Sequence, residues 1–151
     1  MPKPTLKVQI GRFDAAGAWQ PYHDGDWMPL QTASQGAFHF GLWPRVELPS
    51  PPADKVKLQV NAFAAYDCGE VAIPQAAQKF FYPLGNGVFG APVSSPLLTV
   101  FGVSDAKKKE YCGLWYRVVF RARVPGTAQW GEAALYVRSY DGTDKPVELP
   151  P

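Results

Sequence analysis

An all-β fold is predicted by three observations. Apolar and polar residues alternate at period two in several stretches, 16 prolines and 14 glycines punctuate the 151 residues, and no window of about 11 residues carries a helical stripe. Near the start, Leu6, Val8 and Ile10 alternate with Thr5, Lys7 and Gln9, the pattern of a half-buried strand with one wet face. Candidate strands follow at 26–31 and 37–48. The run Pro49-Ser50-Pro51-Pro52 then breaks the pattern as an extended connector. Val56, Leu58, Val60 and Ala62 alternate with Lys55, Lys57, Gln59 and Asn61 in the same way as the first strand. Shorter candidates lie at 70–74, 78–84 and 97–103, and Gln75 to Lys79 has the composition for a single helical turn. Gly85-Asn86-Gly87 and Gly90-Ala91-Pro92 mark a mobile loop. From Leu114 to Val124, Leu114, Tyr116, Val118, Phe120, Ala122 and Val124 share one face, and Arg117, Arg121 and Arg123 the other. After the turn Pro125-Gly126, the stretch 129–138 puts Ala133, Leu135 and Val137 on one face and Trp130, Glu132, Tyr136 and Arg138 on the other, which predicts a C-terminal hairpin. Short strands with turns at intervals of about ten residues read as an immunoglobulin-like antiparallel β-sandwich of about seven to nine strands. Residues 1–140 form its single domain, and 141–151, DGTDKPVELPP, an extended tail.

Composition narrows the function. A hydrophobic fraction of 46% is enough for one buried core, while the charged fraction of 19% falls below the average of about 25%. The net charge is only +2, and the run Lys107-Lys108-Lys109 followed by Glu110 reads as a solvated loop. That distribution lacks the basic footprint of a nucleic-acid binder. No apolar segment approaches the roughly 20 residues that span a bilayer. The stretch MPKPTLKVQIG has neither the apolar run nor the small-residue site of a signal peptide, so export implies a leader already removed. Cys68 and Cys112 each sit beside a glycine near a strand end. They are read as one disulfide closing a loop of about 45 residues, which contributes roughly 4 kcal/mol in the chain-entropy account. Two buried thiols are the alternative.

The stretch from Trp19 to Arg45 carries the most distinctive pattern. It runs from an aromatic through Pro and Asp-Gly-Asp to an apolar strand, then Gln-Gly, an aromatic, His, and a β run ending in Arg. The residues are Trp19, Pro21, Asp24, Gly25, Asp26, Leu30, Gln35, Gly36, Phe38, His39 and Arg45. This pattern resembles uncharacterised secreted or lipoprotein β-sandwich domains of myxobacteria and related predatory or environmental bacteria. It covers about the first 45 residues and departs at Ala37, where those domains often repeat a glycine. The resemblance implies fold and export to the periplasm, envelope or exterior, and it assigns no activity.

Polar residues offer few catalytic arrangements. Asp24 and Asp26 supply hard oxygens suited to calcium, yet DGD between aromatic strands more often makes only a turn, and the other ligands of an EF-hand loop are missing. His23 and His39, with Met28 as a soft donor, would make a copper site. The plainer reading has His39 bonded to a loop backbone. Ser34, Ser94 and Ser95 lack a nucleophile-elbow pattern, and Asp24, Asp26, Glu47, Glu70 and Glu132 show no spacing that singles out a pair. The chain is therefore read as a non-enzyme that needs no cofactor.

Aromatic supply points to binding. Trp19, Tyr22, Trp27, Trp43, Trp115 and Trp130 exceed the needs of one sandwich core, and flat rings bury large areas at low side-chain entropy. Trp115, Arg117, Trp130 and Tyr136 fall on the non-core face of the predicted hairpin and are the candidate binding residues for a protein or glycan ligand. Coverage of that face by the loop 85–96, or by a second copy in a homo-oligomer, is the competing structural reading. A self-assembling subunit is the alternative function, beside metal binding through His23 and His39 or Asp24 and Asp26.

Overall fold

The computed structural model describes residues 3–32, 38–66, 75–101 and 115–141. Among these the fold is all-β, with no helix and twelve strands: β1 (Lys7–Gln9), β2 (Gly11–Phe13), β3 (Trp19–Pro21), β4 (Trp27–Thr32), β5 (Phe38–Leu42), β6 (Arg45–Glu47), β7 (Val56–Tyr66), β8 (Gln75–Gly85), β9 (Val88–Gly90), β10 (Leu97–Phe101), β11 (Trp115–Arg123) and β12 (Trp130–Asp141). Ten strands hydrogen-bond in the order β1-β6-β9-β8-β7-β11-β12-β4-β5-β10, while β2 and β3 form a separate ribbon. The count exceeds the expected seven to nine because β2, β3 and β9 are three residues each, too short to show a period. The candidate 37–48 is also two strands, β5 and β6, separated at Trp43 and Pro44.

Long strands follow the alternation that predicted them. β7, β11 and β12 pair antiparallel in register, with Val118 opposite Ala64 and Leu135, and Phe120 opposite Ala62 and Ala133. Gln75 to Lys79 is strand and not a helical turn: each residue is paired, from Gln75 opposite Ala62 to Lys79 opposite Leu58. Cross-strand pairing overrides the high local helix propensity of this Gln- and Ala-rich segment. The predicted mobile loop at Gly85-Asn86-Gly87 is a tight hairpin turn. Asn86 has φ 55° and Gly87 φ 77°, and positive φ at both central residues suits the right-handed twist of β8 and β9. At the other hairpin, Thr127 Oγ1 donates to the Val124 carbonyl at 2.8 Å and closes the Pro125-Gly126 turn.

One pairing departs from an antiparallel arrangement: β4 runs parallel to β12, with Trp27 beside Arg138 and Leu30 beside Asp141. Asp141, placed in the tail by the sequence reading, is the last residue of β12. Cys68, Cys112, the strand candidate 70–74, Gln35, Gly36, the lysine run and residues 142–151 lie outside the described residues.

The sheet curls so that both ends pack over its own middle. β10 lies against β7 and β8, and β1 against β12. Phe40 on β5 meets Tyr116 on β11 edge to face, with ring centroids 5.2 Å apart, although the two strands are not sheet neighbours. Phe81, Phe89, Phe120, Met28 and Leu58 fill the same interior. The charged side chains of the long strands, such as Lys57, Arg117, Arg121 and Arg123, lie on the opposite face from this interior.

Candidate functional site

Odd-numbered residues of β11 and even-numbered residues of β12 share the outer face, since residues directly opposite in a ladder point to the same side. Trp115 lies opposite Arg138, which in turn lies beside Trp27, so the row Trp115, Arg138, Trp27 crosses three strands. The Arg138 guanidinium carbon sits 4.5 Å from the Trp27 ring centroid and 5.4 Å from that of Trp115. Planar guanidinium groups stack on aromatic faces, and the two rings hold this one between them. Tyr140 adds an edge contact to Trp27 at 6.2 Å. The next row places Arg117 opposite Tyr136. Trp115 is 44% exposed and Tyr136 53%, so the two rings and Arg117 present one accessible surface.

The Asp24-Gly25-Asp26 turn docks on this hairpin. Gly25 N–H donates to the Tyr136 carbonyl at 2.8 Å, and Arg138 N–H donates to the Asp26 carbonyl at 2.9 Å. Asp24 Oδ1 accepts the Tyr136 N–H at 2.9 Å, and Arg138 Nε donates to the Gly25 carbonyl at 3.0 Å. The second carboxylate, on Asp26, accepts the His23 N–H at 2.8 Å. Both acidic side chains thus hold backbone, and the motif extends the sheet edge so that β4 enters parallel to β12. Arg138→Lys keeps the charge but loses the stacked plane and its directed bond to Gly25. We expect it to destabilise by about 1 kcal/mol and to release the 23–26 turn, read as faster amide exchange at Gly25.

Three of the four predicted binding residues come together here, and the fourth does not. Trp130 shares the face but lies opposite Arg123, eight ladder positions from Trp115, or about 26 Å at ~3.3 Å per residue. Trp27 and Arg138 belong to the site and were not among its predicted members. Arg138 was legible from its alternation with Tyr136, but Trp27 joins only through the long-range parallel pairing. The loop 85–96 does not bury Trp115 or Tyr136, which both stay exposed.

Metal-ligand candidates are dispersed. The His23 side chain is 76% exposed in the turn before β4. His39 lies on β5 opposite Gln31 near the far end of β4, and Met28 is fully buried in the core. Among the described residues no three His, Cys, Asp or Glu side chains converge.

Elsewhere, buried or bonded groups have shifted protonation. Backbone N–H bonds, first of all from Ala18, hold the Asp14 carboxyl below its ordinary value and fix the β2–β3 turn. Burial pushes the Tyr22 hydroxyl up and the Lys79 ammonium down, the latter donating to Ser95 Oγ at 2.7 Å.

No family model matches the chain, and no curated protein matches it. Among solved structures it is similar to the N-terminal domain of PorA, at 12% identity and a TM-score of 0.36, over 90% of this chain and 99% of that one.

Proposed function

We propose that this chain is a non-catalytic binding domain of immunoglobulin-like sandwich architecture, secreted or envelope-associated as its Trp19-to-Arg45 pattern implies. It recognises a protein or glycan ligand through Trp115, Arg117 and Tyr136, and Trp130 is engaged only by a ligand long enough to span the hairpin. The observation that carries this reading is the pair of exposed rings, Trp115 at 44% and Tyr136 at 53%, flanking a cation on a strand scaffold. Rings held on paired strands lose little entropy on binding, and a ligand that covers them desolvates a large apolar area.

A panel of soluble polysaccharides and oligosaccharides tests it by thermal unfolding, since a ligand selective for the folded state at 100 times its Kd stabilises by about 2.7 kcal/mol. One glycan class is expected to raise the midpoint. Trp115→Ala and Tyr136→Ala are each expected to weaken that binding about tenfold, or ~1.4 kcal/mol. In the absence of glycan Tyr136→Ala keeps its midpoint, whereas Trp115→Ala also gives up one ring contact with Arg138 and melts slightly lower. Unaltered binding in both variants would overturn the assignment, and a flat panel would turn it toward a protein ligand.

Self-assembly is the second reading, and a specific feature favours it. Phe80, Tyr82 and Leu84 alternate along the outer face of β8 and are 42%, 43% and 52% exposed. Lys55 and Lys57 flank Phe80 at 5.2 and 5.4 Å from its ring centroid. A mass of one chain at high concentration in solution would remove this reading.

A further inference from the structure

A second site lies on β1, β6 and β9 and shares no residue with the hairpin site. Lys7 is opposite Glu47 and Gln9 opposite Arg45, while Glu47 is in turn opposite Val88. These five side chains line a surface cleft of about 240 Å³. That volume lies below the roughly 300–1,000 Å³ of drug-sized pockets, so it suits one ring-sized ligand.

The cleft is held open from beneath and from the side. The Arg45 guanidinium carbon sits 4.1 Å from the Trp19 ring centroid. Trp19 is itself fixed, packing on Gly11 and donating Nε1–H to the Trp43 carbonyl at 2.9 Å. Val88 supplies an apolar wall, and Leu84 on the neighbouring strand covers Gly90 beside the Arg45 stem. By contrast, Lys7, Gln9 and Glu47 make no side-chain hydrogen bond or ion pair among the described residues. Their polar capacity is therefore unspent, in a cleft whose shape a stacked arginine maintains.

The charge pattern selects the ligand. Two cations favour an anion, but Glu47 repels a dense, acceptor-only anion such as phosphate and instead accepts from hydroxyl donors. Gln9 both donates and accepts. One carboxylate with hydroxyls on an adjoining ring satisfies all four polar groups and lays its apolar edge on Val88. We infer that the cleft formed by Lys7, Gln9, Arg45, Glu47 and Val88 binds a carboxylate-bearing sugar residue of the uronic acid class.

The full chain, labelled with nitrogen-15, is titrated with sodium D-glucuronate, D-glucose and sodium phosphate. Glucuronate is expected to shift the amides of Gln9 and Val88 and to bind at least tenfold more tightly than glucose or phosphate. Lys7→Gln and Glu47→Gln, both at exposed positions, are each expected to weaken glucuronate at least fivefold without changing the unfolding midpoint, and added salt is expected to weaken it further. Trp115→Ala is expected to leave it unchanged. Equal binding of phosphate would mark a plain anion site and overturn the inference, as would equal binding of glucose, no binding of glucuronate, or indifference to both cleft variants. Loss of glucuronate on Trp115→Ala alone would also overturn it, while supporting the hairpin as the glycan site.

Discussion

Phe40→Ala is expected to destabilise the chain by about 3–5 kcal/mol, the usual cost of removing a fully buried aromatic ring from a packed core. Phe40 has no exposed surface, and its ring meets Tyr116 at a centroid separation of 5.2 Å and an interplanar angle of 81°. The position matters beyond its volume. β5 is separated from β11 by β4 and β12 in the hydrogen-bonded order, so this contact joins two parts of the sheet that no ladder connects. It is one of the side-chain contacts that keep the sheet curled. A chain of this length loses roughly 2–4 °C in Tm per kcal/mol, so the variant should melt roughly 6–20 °C lower. Phe40→Leu keeps most of the apolar volume and should cost less than half as much. Equal losses in the two variants would show that edge-to-face ring geometry, and not filled volume, carries the energy; a loss below about 1 kcal/mol in Phe40→Ala would show that the interior collapses around the gap.

How far the fold was legible follows from strand length and wet faces. Leu114 to Val124 and Gln129 to Arg138 each have an inner apolar row and an outer arginine- or aromatic-bearing row, and both are central strands, the first within one residue of the expected ends and the second running three residues further, to Asp141. Val56 to Ala62 behaved in the same way and extends to Tyr66. The three-residue strands β2 and β3 leave no periodic trace and are defined by the Asp14 carboxylate, which accepts the N–H groups of Ala16 and Ala18 at 2.9 Å each. β9 follows the Asn86-Gly87 dipeptide, a strong hairpin signal, although the nearby Gly85 and Gly90 read equally as a loop.

The site divides along the same line. Trp115, Arg117 and Tyr136 were legible because they sit on facing strands joined by a short turn, where register follows from the hairpin itself. Trp27 was not, because its neighbour Arg138 is more than a hundred residues away in sequence and the pairing is parallel. Asp24-Gly25-Asp26 was correctly read as a turn. What it does could not be read from local spacing, since its partners are the backbone groups of Tyr136 and Arg138. A motif that resembles a ligand site in sequence is, in three dimensions, a clamp that sets the orientation of β4.

The N-terminal segment depends on a clamp of a different kind, and Gly131→Ala tests it. Thr5 and Leu6 donate their N–H groups to the Trp130 carbonyl at 2.9 and 3.1 Å. The chain crosses so close to β12 there that a Cβ on Gly131 would stand 2.3 Å from the Leu6 carbonyl oxygen and 2.8 Å from both Leu6 Cβ and Val8 Cγ2. The nearest obstacle is backbone, which cannot swing aside as a side-chain tip does. Either β1 lifts from β12 or β12 bends away from β11, and overpacking of this sort typically costs about 1–3 kcal/mol. The register favours the first outcome, because β12 is held by β11 on one side along nine paired positions and by β4 on the other. β1 has only a three-residue ladder to β6. Gly131→Ala should therefore raise amide exchange at Thr5, Leu6 and Val8 while the amides of Val118 and Phe120 keep their protection. Loss of protection at Val118 and Phe120 together with Leu6 would mean that the N-terminal crossing and the central hairpin open as one unit, and that β1 is part of the fold's cooperative core.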